Sequence, residues 1–155
     1  MKIESILAIA NKENLNGRVY SPEVLQDMMN QFENNKPMFG ELGMPSESIV
    51  SLKNASHKIT SMRIERSRLP RKNKKLLKKK GLYENWKNNN ISSLIGEIEF
   101  LDTPNGELAK KMFESQFVVV RPRGIGNLVN GNVEDYSLIS FDIINKEDDS
   151  FKGLI

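Results

Sequence analysis

The 155-residue chain is 38% hydrophobic and 28% charged, the balance of a soluble domain with a buried core and some loose polar segments. It has no cysteine, which excludes disulfides, thiolate nucleophiles and cysteine-ligated zinc; its single histidine, His57, excludes a histidine-rich metal site. The net charge of +3 is unevenly spread: nine of the 23 basic residues fall between 66 and 80, where no acid stands, and the remainder of the chain is at −6.

Met1-Lys2-Ile3-Glu4 lacks the long apolar core of a signal peptide, and no apolar run approaches the roughly 20 residues that span a bilayer, so no membrane association is expected. Ile3 to Ala10 reads as a first strand, ending at the turn-prone Asn11 to Gly17. Ser21-Pro22 opens a helix, the serine offering a capping oxygen and the proline fitting the first helical position. Val24, Leu25, Met28, Met29 and Phe32 give it one apolar face, and Asn34-Asn35-Lys36-Pro37 stops it. Met38 to Ser48 reads as a loop, and Ser51 to Ile64, carrying His57, as a strand of mixed alternation.

Arg66 to Asn90 breaks the pattern. Like charge at this density without apolar periodicity predicts a mobile, solvated insertion loop. Its cations, Arg66, Arg68, Arg71, Lys72, Lys74, Lys75, Lys78, Lys79 and Lys80, are candidates for holding nucleic acid or an acidic protein. Tyr83 and Trp86 could stack on bases, although they lie outside the densest run. Ser93 to Leu101 returns to strand, with Leu94, Ile98 and Phe100 facing in and Glu97 and Glu99 facing out. Asp102-Thr103-Pro104 begins a second helix whose Leu108, Ala109, Met112 and Phe113 share a face. Phe117 to Val120 is a buried strand, Gly124 and Gly126 mark a sharp exit from it, and Asn130-Gly131 turns the chain into a last strand over Tyr136 to Ile144. That arrangement places Arg121 to Gly126 on a rim. Lys146 to Ile155 is charged and is expected to fray.

Four blocks carry a family resemblance. Asn14-Leu15-Asn16-Gly17-Arg18-Val19-Tyr20, Gly40-Glu41-Leu42-Gly43-Met44-Pro45, Arg121-Pro122-Arg123-Gly124-Ile125-Gly126 and Ile139-Ser140-Phe141-Asp142-Ile143-Ile144 occur in that order. The set resembles the prohead core proteases of tailed phages, serine proteases of the herpesvirus-assemblin type. Their corresponding blocks read Asn-x-Asn-Gly-Arg-x-Tyr-Pro, Gly-Glu-Leu-x-His-Pro and Gly-Val-Ser-Ser-Arg-Gly-Leu-Gly, followed by a strand after the nucleophile. The resemblance implies an α+β domain over residues 1–145, with a mainly antiparallel, partly closed sheet flanked by helices and the basic insertion at 66–90. It also implies capsid or scaffold proteins as partners, and a place in the prohead or virion within the host cytoplasm. An oligomer is possible on this reading.

The same resemblance puts the family's nucleophile at Arg121 and its general base at Met44. A guanidinium is no nucleophile, and a thioether cannot take a proton at neutral pH. Pro122 also removes a backbone donor. Asp142 alone remains of the positions that would do the chemistry. His57 and Ser140 are the alternatives: related sequences carry a histidine in a Val-Ser-His-Lys-Ile-Thr block beside a separate catalytic one, so His57 is expected to be structural. Ser140 shares a strand face with Asp142, but roughly 7 Å of spacing along a strand makes a direct bond between them unexpected. The carboxylates show no metal-ligand spacing, and Gly124-x-Gly126 is no phosphate loop because Val129 holds the third glycine position, so no cofactor is expected. The expected function is a catalytically inactive homologue in capsid assembly or maturation, with an active serine endopeptidase that cleaves scaffold and capsid proteins as the alternative.

Overall fold

The computed structural model describes residues 2–14, 17–43, 45, 47–68, 75, 79, 90–146 and 153–155. Strand β1 (Lys2–Ala10) leads to helix α1 (Pro22–Asn35) and the short strand β2 (Met38–Glu41). Two long strands follow, β3 (Ala55–Arg68) and β4 (Asn90–Phe100), then helix α2 (Pro104–Glu114) and the hairpin of β5 (Val118–Val129) and β6 (Asn132–Asn145). The first four strands form an antiparallel sheet in the order β1-β4-β3-β2, and the hairpin is a second, two-stranded sheet.

Local chemistry explains most boundaries. Ser21 Oγ accepts from Val24 N at 3.2 Å and Thr103 Oγ1 from Gly106 N at 3.1 Å, each satisfying an otherwise orphaned amide at a helix start. Val24, Leu25, Met28 and Phe32 are buried, so α1 lays its apolar face on β1, β3, β4 and β6. Asn130 and Gly131 both have positive φ (52° and 82°), the conformation that lets a two-residue turn follow the twist of a hairpin. The core gathers Leu7, Ile59, Leu94, Ile98, Val120, Phe141 and Ile143 from both sheets around Phe32 and Met28. Among the described residues, no helix is long and apolar enough to cross a membrane.

Several expectations are corrected. The sheet is not closed: among the described residues the ladder between the two sheets is a single parallel bridge from Leu42, just after β2, to Ile143 of β6, reinforced by Gly43 N donating to Ile143 O at 2.8 Å. Four residues of β2 fall inside the stretch that reads as a loop, because Phe39 and Gly40 find partners in Lys58 and His57 that no local signal reveals. β3 runs to Arg68 and β4 starts at Asn90, so the insertion is shorter than 66–90, and Arg66 and Arg68 belong to a strand. Lys75 and Lys79 are helical and exposed; Arg71, Lys72, Lys74, Lys78, Lys80 and the two aromatics lie outside the described residues. Leu108 is exposed rather than part of the buried face of α2, and Phe117 is exposed just ahead of β5. At the far end, Gly153–Ile155 is bonded to Gly124 rather than frayed, while residues 147–152 lie outside the described residues.

Candidate functional site

Gly124 and Gly126 do not end β5. The strand continues to Val129, and the glycines instead admit Tyr136: a Cβ on Gly124 would overlap the Tyr136 ring and one on Gly126 would crowd it. Arg121 to Gly126 is therefore not a rim. Arg123 sits mid-hairpin opposite Ser140 and is fully buried, the largest side chain to be so among the described residues.

A buried guanidinium needs a full set of acceptors, and three parts of the chain supply them. From β2, Glu41 Oε2 lies 2.8 Å from Nη2. Asp142 Oδ2, from β6, lies 2.9 Å from Nε as an ion pair, but the Nε hydrogen is directed at Ser140 Oγ, 3.3 Å away. Ser140 Oγ also accepts from Nη2 at 3.0 Å. From the loop after β2, the Glu47 carbonyl accepts from Nη1 at 2.9 Å and the Ile49 carbonyl at 3.4 Å. Glu41 Oε2 in turn accepts from Ser51 N at 3.2 Å, so the same loop is tied down twice.

Ser140 Oγ donates to Asp142 Oδ1 at 2.9 Å, which corrects the expectation that two residues apart on a strand lie beyond hydrogen-bond reach. Both side chains lie on one face of β6 and lean together over Arg123, and the strand is bulged just before them. Arg123 pairs with Ser140 but Gly124 pairs with Leu138, leaving Ile139 unopposed, and such an extra residue sharpens the twist and re-aims its neighbours. Asp142 Oδ1 also accepts from Glu41 N at 3.0 Å. Burial pushes the Asp142 carboxyl up to about 6, against the Glu41 amide, the Arg123 cation and the Ser140 hydroxyl, which all favour the ionised form.

His57 lies in β3 between Gly40 and Phe100, fully buried. Its Nε2 is 2.8 Å from the Phe141 carbonyl, which can only accept, so Nε2 carries the hydrogen and Nδ1 accepts from Ser56 Oγ at 2.8 Å. Burial holds the imidazole down at about 4, so it is neutral at physiological pH. Gly40 makes this possible: a Cβ there would overlap both the Phe141 carbonyl and the imidazole.

The structure thus brings Ser140 and Asp142 together, and brings His57 to the backbone between them without a bond from either ring nitrogen to Ser140. Arg121 is half-buried in β5, its Nη1 donating to the Val120 carbonyl at 2.8 Å, and Met44 lies outside the described residues. Glu41 and Arg123, the two partners that organise the cluster, are absent from the candidates drawn from sequence. Both stand in the blocks that carry the resemblance, and a charged residue flanked by apolar and glycine positions was the available signal. Among the described residues no group of three or more acidic or histidine side chains is disposed to hold a metal ion.

No protein-family model and no curated protein matches the chain. Among solved structures it is similar to the capsid assembly protease of bacteriophage T4, with 22% identity and a TM-score of 0.66 over 92% of this chain and 80% of that one. At that identity the likeness concerns the fold.

Proposed function

We propose that the chain is a capsid assembly or maturation protein of the prohead-protease type that has kept the fold and lost the hydrolytic machinery, serving as a structural component of the prohead or virion. Its partners on this reading are capsid or scaffold proteins, with nucleic acid as a further partner of the basic run. The likeness to the T4 capsid assembly protease supports the class. The observation that carries the inactive reading is the state of the only histidine, which is buried, neutral and bonded through both ring nitrogens to Ser56 and Phe141. A general base must reach the proton it removes, and His57 reaches only a buried hydroxyl.

A second reading, an active endopeptidase, turns on Ser140, because its hydroxyl already donates to a carboxylate raised towards neutrality. Against it, Ser140 Oγ accepts from the Arg123 cation and has no exposed surface. The test is to incubate the purified chain with capsid and scaffold proteins and with a serine-directed fluorophosphonate, and to sediment it with proheads. Co-sedimentation without cleavage or labelling is expected. Labelling at Ser140, or cleavage abolished by Ser140→Ala, establishes the second reading; failure to sediment with proheads removes the first.

A further inference from the structure

Strand β5 bonds β6 along one edge. On its outer edge, Gly124 N donates to the Gly153 carbonyl at 2.9 Å and Ile155 N donates to the Gly124 carbonyl at 3.1 Å. That outer contact goes no further: among the described residues no backbone group is bonded to the outer edge from Ile125 to Val129. The strand is regular there, because the extra residue of each hairpin bulge belongs to β6. Since Gly124 turns both its backbone groups outward, strand alternation turns those of Gly126 and Leu128 outward as well, and those of Ile125, Asn127 and Val129 toward β6. Pro122 obeys the same parity, standing where its missing amide hydrogen costs no bond to β6.

Sheet edges are ordinarily defended against pairing. The outer edge of β1 carries Lys2 and Glu4 and a bulge between Ile6 and Ala8. From Gly124 to Asn130, β5 has no charge, no proline and no bulge of its own, and Ile125, Leu128 and Val129 are exposed. The order Ile-Gly-Asn-Leu-Val also complements itself when reversed. Two copies set antiparallel about Asn127 place Ile125 opposite Val129 and Gly126 opposite Leu128, so an aliphatic pair stands at each end and each leucine lies beside a position without a side chain. Gly126 and Leu128 are the residues with outward backbone groups, so each of their pairs exchanges both its hydrogen bonds. Asn127 meets its own copy: one amide hydrogen reaches Asp135 at 3.4 Å, and the other hydrogen and the oxygen are left to pair. A two-fold axis brings each side chain near its own counterpart, which this uncharged stretch tolerates.

We propose that the outer edge of β5 from Ile125 to Val129 is an interaction surface for a second copy of this chain, the two strands pairing antiparallel about Asn127 to form a two-fold dimer. The contact leaves Gly153–Ile155 in place, uses no group of the buried cluster, and stands whether or not the chain hydrolyses peptide bonds.

So short a contact falls at the weak, transient end of protein interfaces, so sedimentation velocity is run on the full chain from about 10 µM to about 1 mM. The sedimentation coefficient should rise with concentration. Ile125→Lys combined with Val129→Lys opposes like charges at both ends of the ladder and should weaken association about tenfold or more. Ile125→Lys combined with Val129→Glu sets opposite charges face to face in this register alone and should keep the association. A wild type that stays monomeric, a like-charged variant that associates as the wild type does, or equal loss in both variants overturns the proposal. If either variant does not fold, amide hydrogen exchange in the wild type replaces them: Gly126 and Leu128 should slow as concentration rises, and exchange independent of concentration overturns the proposal. Slowing that requires an added capsid or scaffold protein overturns it too, because the edge then belongs to a different partner.

Discussion

Replacing Arg123 by methionine keeps most of the apolar stem and removes the one cation in the buried cluster. Glu41 and Asp142, with side-chain exposures of 6% and 0%, then face each other without a counter-charge, and the Glu47 and Ile49 carbonyls lose their donor. Breaking one side of a buried ion pair costs about 3–5 kcal/mol, chiefly because the remaining charge stays desolvated. For a domain of this size each kcal/mol moves Tm by about 2–4 °C, so a fall of about 6–20 °C is expected. The deficit has a pH signature. Asp142, already raised to about 6, rises further once the guanidinium is gone, and an acid raised in the folded state stabilises it most when protonated. The loss should therefore be largest near pH 7.5 and shrink on acidification to pH 5. Arg123→Met combined with Glu41→Gln and Asp142→Asn, which leaves no charge behind, should recover much of the stability. Urea denaturation of both variants at the two pH values measures this. A single variant within about 1 kcal/mol of wild type at pH 7.5, or a deficit that widens on acidification, would refute the account of the cluster as a mutually dependent ion network.

Three further outcomes are expected. His57 is held down at about 4 against an ordinary 6.5, so its contribution is intact above pH 6.5 and lost as pH falls through 4; Asp142, raised from 3.8 to about 6, contributes below 3.8 and loses that contribution as pH rises through 6. These slopes oppose each other between pH 4 and 6, so His57→Gln should gain stability on acidification and Asp142→Asn should lose it, by up to about 3 kcal/mol each; parallel slopes in thermal melts would contradict the assignment. Gly40→Ala forces a methyl into the Phe141 carbonyl and the His57 ring and should cost about 1–3 kcal/mol or more in urea titrations, whereas Gly43→Ala, with nothing within 4 Å, meets only its backbone penalty at φ +112°. Replacing residues 71–80 by a Gly/Ser linker should abolish salt-sensitive DNA binding and leave Tm within a few degrees; binding that persists would put the polyanion contact elsewhere, and collapse would make the segment a structural element.

Features that depend on neighbours along the chain were legible in the amino-acid order. Ser21-Pro22 and Thr103-Pro104 start helices because a capping oxygen and a proline act within one turn. Asn130-Gly131 makes its turn because both residues tolerate positive φ, and Leu94, Ile98 and Phe100 alternate inward because a strand has a period of two. The ordered blocks likewise pointed to the prohead-protease fold, and the T4 likeness agrees at that level. What Gly124 and Gly126 are for emerged from the packing, since a glycine in a sequence does not say what approaches it; here it is Tyr136, and β5 runs on. The Ser140–Asp142 bond depends on where the two side chains lean, and both are drawn to the Arg123 guanidinium that β5 places opposite them. The same holds for the buried cluster: Glu41 and Asp142 stand 101 positions apart, and they meet because β2 ends against β6 and both carboxylates lie over Arg123. A buried charge is stable only with its partners in place, and those partners belong to three-dimensional packing rather than to any window of sequence.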